Sequence, residues 1–302
     1  MKPHIKHIAL FLVLLLGLVY TIEYGIDTCY KKRVTNKFSL LLKHQVDPQI
    51  MIFGSSVVYH QFDPKIINQV SGYSAYNMGF PGMFFIQYNG LIKEYLSYEK
   101  QCKAIVIGCD FDNLGRNDLI TRPDLFYAWL NNGNIYHSLQ EIEHEKIFHA
   151  RYLPGYKLTL LNKAFYTDML LSKPLTDTMA GYEPINTTWE PTKANQPFNA
   201  RYREDVYDQL KATVDEISSK GIKVIIIIPP VYEEGYKLIQ NAELIKSKYR
   251  SLSNKQVYFL DYTGDSLCRS KENFHNFTHL NATGATVFSH TFAQDLLKII
   301  HE

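Results

Sequence analysis

The chain of 302 residues has little cysteine and almost no net charge. Its four cysteines, Cys29, Cys102, Cys109 and Cys268, include no C-x-x-C pair, so neither a zinc site nor a thioredoxin-like site is readable from them. They are expected as buried or free thiols, and their spacing specifies no disulfide. With 32 Lys+Arg against 30 Asp+Glu, the formal charge of +2 gives no reason to expect nucleic acid as a partner. Walker A, G-x-G-x-x-G, H-E-x-x-H and G-x-S-x-G patterns are all missing, which removes the signatures of P-loop, dinucleotide, zinc-protease and nucleophile-elbow sites. There is no internal repeat or low-complexity tract. What remains is 46% apolar and 21% charged, a composition that excludes a largely disordered or collagen-like chain.

The first segment is the least ambiguous. Lys2 and Lys6 precede an uncharged run from Ile8 to Ile22 that Glu23 closes. With Ile5 and a snorkelling Lys6 it just reaches across a bilayer core, whose lower limit is roughly 17 residues. A cleaved signal peptide is the alternative, but Tyr20-Thr-Ile-Glu-Tyr-Gly25 lacks an A-x-A site. Cys29 follows Thr28 rather than the small residue of a lipoprotein site. The segment is therefore read as an uncleaved signal anchor. Basic residues flank both ends, with Lys31, Lys32 and Arg33 beyond the second; a short basic tail before the span favours the cytoplasm, leaving the remaining chain outside it.

Beyond a juxtamembrane helix to about Leu42, short apolar runs alternate with helical segments. The expected strands are 48–53, 74–77, 103–108, 222–228 and 256–261. Ile222 to Ile228 is β-branched almost throughout, as suits a strand buried on both faces, and Pro229-Pro230 stops it. Helices are expected over 85–98, 202–219 and 283–300. Strands separated by helices imply a parallel sheet covered on both sides. Residues 116–197, rich in Tyr, Asn, His and Pro, break this rhythm and read as a partly helical insertion. It would leave from a carboxyl end of the sheet, where substrate walls usually sit. The chain thus divides into an anchor with its flank (1–30) and an α/β domain (31–302).

Short polar signals follow successive strands: Gly54-Ser-Ser56, Asn77-x-Gly79-x-x-Gly82, Gly108-Cys-Asp110-Phe-Asp-Asn113, and finally Asn276-Phe-Thr-His279-Leu-Asn281-x-x-Gly284-Ala285. In an open α/β sheet these ends converge on one crevice. A serine, a histidine and backbone amides are the parts that serine acyl transfer requires. Asp110 and Asp112 lack a third ligand nearby, so neither a metal nor another cofactor is implied. His60 and His275 read as surface imidazoles.

At these residues the chain resembles the SGNH, or GDSL-type, hydrolase superfamily. More narrowly it is similar to the membrane-anchored SGNH-like proteins that accompany polysaccharide or teichoic-acid O-acylation. The resemblance runs from about Gln49 to the C-terminus and is least over the insertion. It implies a three-layer, flavodoxin-like α/β fold of about five parallel strands in the order 2-1-3-4-5, with Met51, Ile105, Ile226 and Phe259 buried. It also implies that Ser56 is the nucleophile, His279 the general base, and the amides of Ser56 and Gly79 oxyanion donors. Two positions depart from the pattern. Asn276 stands where the family has Asp, three residues before the histidine; Asp261 or Asp265 is the alternative acid. Asp110 stands where the family's third block has Asn, which leaves Asn113 as the alternative third donor.

The function expected is a single-pass serine esterase or O-acyltransferase of the bacterial cytoplasmic membrane, its domain facing outward. Its substrate would be an acylated envelope glycan or similar ester, and a membrane acyltransferase would be its partner. The other reading is an SGNH-fold envelope protein of little turnover that binds glycan or such an acyltransferase.

Overall fold

Strands that are apolar without alternation need cover on both faces, and the chain folds accordingly. The structure, a computed structural model, describes residues 3–115, 118–171, 179–187, 189 and 196–302. The chain begins α1 (Pro3–Arg33), α2 (Lys37–Leu42), β1 (Ile50–Gly54), α3 (Ser56–Gln61), α4 (Pro64–Ser71), β2 (Ala75–Gly79), α5 (Phe85–Leu96) and β3 (Ala104–Gly108). Short helices follow: α6 (Pro123–Phe126), α7 (Gly133–Gln140), α8 (His144–Tyr152) and α9 (Lys163–Leu171). It ends α10 (Glu204–Ser219), β4 (Lys223–Ile228), α11 (Glu233–Tyr236), α12 (Ala242–Arg250), β5 (Val257–Asp261) and α13 (Ala282–His301).

The sheet is parallel in the order β2-β1-β3-β4-β5, the fold expected. Met51 lies opposite Ile105, and Ile107 opposite Ile226. One face packs on α2, α5, α10 and α12 through Phe38, Leu91, Leu210 and Tyr249. The other packs on α3, α4 and α13 through Val58, Ile67 and Phe288. Each such side chain, fully buried, contributes about 1.5–3 kcal/mol. Met51, Ile105 and Ile226 are completely buried. Phe259 is not: β5 is an edge strand, and Phe259 is only half-covered against the core.

The expected insertion includes residues 116, 117, 172–178, 188 and 190–195, which lie outside the described residues. In the rest of it, Phe126, Trp129, Leu139 and Phe165 join the core that α5 covers. Helix α1 is long and apolar enough to cross a membrane, and no residue of its most apolar stretch is buried. Further along, a buried stripe of Glu23, Asp27, Tyr30 and Val34 appears at helical spacing. Lys157 Nζ bonds Asp27 Oδ2 at 2.5 Å, and Tyr30 stacks on Phe165 with centroids 4.3 Å apart. All four cysteines are unpaired; Cys109 and Cys268 are buried.

Helix α3 comes down on the strand ends more closely than a side chain would permit. A methyl group at Gly108 would lie 2.1 Å from Val58 Cγ2, and one at Gly54 would lie 2.4 Å from the same atom. Glycine at both strand ends therefore lets Val58 seat, and with it the first turn of α3. Gly108→Ala is expected to cost about 1–3 kcal/mol as an overpacked core site, read as a shift in the denaturant midpoint. Adding Val58→Ala should recover most of it. No recovery would mean that something other than this contact requires the glycine.

Candidate active site

Ser55 caps α3 in an extended conformation, and its carbonyl accepts from Val58 N at 3.2 Å and Tyr59 N at 3.1 Å. Ser56 is thus the first helical residue after the interior strand β1. Its N–H is among the first-turn amides that a helix leaves without an internal partner. The segment before α13 is held from several sides. Gln61 on α3 donates to Thr278 O at 2.7 Å, His275 N donates to His279 O at 2.8 Å, and Asn281 caps α13 at Gly284 N.

These two segments bring Ser56 Oγ to 2.8 Å from His279 Nε2. The far side of the ring faces Asn276, whose Oδ1 lies 3.1 Å from Nδ1. That oxygen also accepts the backbone N–H groups of His279 at 2.9 Å and Thr278 at 3.0 Å. An atom that accepts two N–H groups is the amide oxygen, and with Thr278 Oγ1 also 3.0 Å from the ring the pairing favours the tautomer with the proton on Nδ1. Nε2 is then an acceptor, and Ser56 donates to it.

Burial lowers the pKa of His279 from 6.5 to about 4, with repulsion from His60 and His275 adding to it. The imidazole is therefore neutral at pH 7. The His60 ring lies 6.0 Å away, and its Nδ1 is 2.7 Å from Glu183 O; His275 Nδ1 is 2.7 Å from Thr187 Oγ1. Both neighbours are half-buried and engaged with the segment around residues 183–187.

Two cavities meet at Ser56 and Asp110. One, of about 210 Å³, is walled largely by apolar groups: Val57, Phe111, Phe198, Pro229, Val231 and Ile239. The other, of about 270 Å³, is lined by Ser55, Gly82, Phe84, Asp112, Asn113 and Arg201. Asp110 accepts from Ser55 Oγ at 2.8 Å and from Asp112 N at 3.0 Å. Burial raises its pKa and these hydrogen bonds pull it back. Asn113 is buried, its Oδ1 taken by the Tyr88 hydroxyl at 2.8 Å and its Nδ2 3.4 Å from the weak acceptor Cys109 Sγ.

Gly79 is not brought to the cavities. Its N–H donates to Asn77 Oδ1 at 2.9 Å, and a methyl there would lie 2.4 Å from Tyr59 N, so its role is to let α3 pack on β2. The glycine at the cavity is Gly82, the last of the same Asn77-x-Gly79-x-x-Gly82 signal, with φ +75. Asp261 and Asp265 are occupied elsewhere: the first pairs with Lys246 at 3.0 Å, and the second caps Leu267 N at 2.8 Å. Phe198 and Arg201 stand just after residues 190–195 with no strand or motif to mark them, so sequence reasoning missed them.

An α/β fold with a serine, a neutral histidine and an asparagine in line defines a site equipped for proton transfer from a hydroxyl. No family model matches the chain, and no curated protein does. Among solved structures, a protein of Streptococcus pneumonia provisionally described as a platelet activating factor is 14% identical. The alignment covers 96% of this chain and 99% of that one, with a TM-score of 0.46. That likeness is too slight to bear on function, which rests on the residues themselves.

The depressed imidazole has a measurable consequence. Between about pH 4 and pH 6.5 the unfolded chain binds a proton at His279 that the folded chain does not. Stability should therefore be full above pH 6.5 and fall as pH drops toward 4. His279→Gln should flatten that part of the profile in denaturant unfolding. An unchanged slope would mean that the imidazole titrates normally.

Proposed function

We propose that the protein is a membrane-tethered serine esterase or O-acyltransferase of SGNH type, its domain outside the cytoplasm. Its substrate would be an acylated cell-envelope glycan or a similar ester. The observation that carries this reading is the 2.8 Å contact between Ser56 Oγ and His279 Nε2, with the opposite ring nitrogen on Asn276. The tether rests on α1, and the outward side on the basic residues before it.

In this reading Ser56 Oγ attacks the ester carbonyl while Nε2 takes its proton. The tetrahedral oxyanion is held by the N–H of Ser56, the N–H of Gly82 and Asn113 Nδ2. Gly82 thus replaces Gly79, whose amide is already used. Collapse breaks the ester C–O bond, and the imidazolium returns its proton to the departing alcohol. Water attacking the acyl-serine completes hydrolysis; a sugar hydroxyl completes transfer, with His279 again the base. The apolar cavity suits the acyl chain, and the polar one, with Arg201, suits the alcohol side. Asp110 would repel an oxyanion as a carboxylate, and its raised pKa reduces that penalty.

The second reading is an SGNH-fold protein with little turnover, binding glycan or a membrane acyltransferase partner. It is favoured by Asn276, because an amide orients the imidazole but does not stabilise the imidazolium as a carboxylate does.

A fluorophosphonate probe separates the two: the esterase is labelled at Ser56, and the binding protein is not. Ser56→Ala should abolish labelling and ester hydrolysis with little change in folding; activity that survives it overturns the mechanism. Asn276→Asp should increase kcat, since the reverse exchange in a serine-protease triad costs about four orders of magnitude. It should also raise the pH at which the rate falls off in acid, because the new carboxylate favours the charged ring.

A further inference from the structure

The domain meets α1 inside the apolar run rather than after it. A methyl group at Gly155 would lie 3.3 Å from Val19 Cγ1, and Gly155 N donates to Glu23 Oε1 at 2.9 Å. Two residues on, Lys157 is paired with Asp27 in a contact buried on both sides. From Ile5 to Ile22 the helix rises about 27 Å, just short of the roughly 30 Å hydrocarbon core. No part of the run is to spare, so a helix that spans the membrane holds Val19 about 4–5 Å inside its end. The loop at Gly155 is then level with the membrane boundary.

What stands beside that loop is apolar and aromatic. Phe148, Tyr152 and Leu153 are exposed at 45%, 56% and 50%, although Ile147 and Ala150 of the same helix are buried inward. Phe148 and Tyr152 hold each other with ring centroids 5.0 Å apart. The Arg151 guanidinium lies over the rings of Tyr136 and Tyr152, an arrangement suited to the level of lipid headgroups. Tyr20 and Tyr24 on α1 are exposed at the same end of the run, where aromatic residues favour the interface.

We propose that the C-terminal end of α8 and the loop after it form a second membrane contact. Phe148, Tyr152 and Leu153 dip into the interfacial layer of the leaflet from which α1 emerges. The occupant of this face is lipid. The inference rests on the membrane-spanning reading of α1. Each side chain gains by leaving water for the acyl boundary, and the contact fixes the domain's tilt as well as its attachment. The Asp27–Lys157 pair ties α1 to the loop after α8, and the Tyr30–Phe165 stack ties it to α9.

The test places an environment-sensitive fluorophore at single introduced cysteines in the full-length protein, reconstituted in phosphatidylcholine–phosphatidylglycerol nanodiscs. The positions are Leu153→Cys, Phe148→Cys, Leu14→Cys within α1 and Lys255→Cys just before the edge strand β5. Signal from the unsubstituted chain is subtracted. The expected result is blue-shifted emission at 14, 148 and 153 that is largely lost when the lipid carries a nitroxide near its headgroup or upper chain. The label at 255 should remain water-like and unquenched. Quenching at 14 with water-like behaviour at 148 and 153 overturns the footing and leaves the anchor standing. Shielding at 148 and 153 that lipid nitroxides do not reach means that a protein covers the face, which also overturns it. Absence of quenching at 14 overturns the anchor and the footing together.

Discussion

The geometry of the site depends on one close approach, the descent of Val58 onto the bare strand ends at Gly54 and Gly108. Because β1 is an interior strand and its neighbours run parallel, the carboxyl ends of β1 and β3 lie side by side. A helix can begin immediately beyond them only if nothing projects there. With that contact made, Ser56 is set at the top of the sheet by backbone alone. Gln61 on the same helix then reaches the segment carrying His279. The serine and the histidine, 223 residues apart in sequence, are thereby held by one short helix.

The electrostatics are those of a site poised in its neutral form. The imidazole is desolvated, has two further histidines near it, and meets an amide where a carboxylate would favour its charge. Such a ring stays available as a base far into acid but becomes a cation reluctantly. The trade lies between readiness to accept a proton and willingness to hold it. An amide has one virtue here: its oxygen takes the two backbone N–H groups of the loop and, with the Thr278 hydroxyl, faces the ring Nδ1.

Much of this was legible from residues in order. The five strands showed because parallel strands buried on both faces are written as unbroken apolar runs, and Ile225 to Ile228 is such a run, every residue fully buried. Phe259 misled because an edge strand carries the same residue types with less cover. Ser56, Asn276 and His279 were legible as signals that follow strands or precede the last helix. Gly79 was expected as a donor from its match to the family's second block, and only three-dimensional pairing reveals that Asn77 has claimed its amide. The cavity walls were not legible. Phe198 and Arg201 come from a stretch without periodicity, and Arg201 is fixed by its contact with Asp112 rather than by any local pattern.

Helix α1 continues without a break to Arg33, and only three residues separate it from α2. A domain mounted in this way has no leash. If α1 stands in a bilayer, the domain cannot sweep a volume of the space above it, as one on a flexible linker does. It can only translate and spin with its helix, and the height of the serine above the lipid becomes a fixed length of the molecule. On the proposed function, encounter with a membrane-borne ester would be a problem in two dimensions, and reactants would be sorted first by how far from the membrane they carry the bond to be cut.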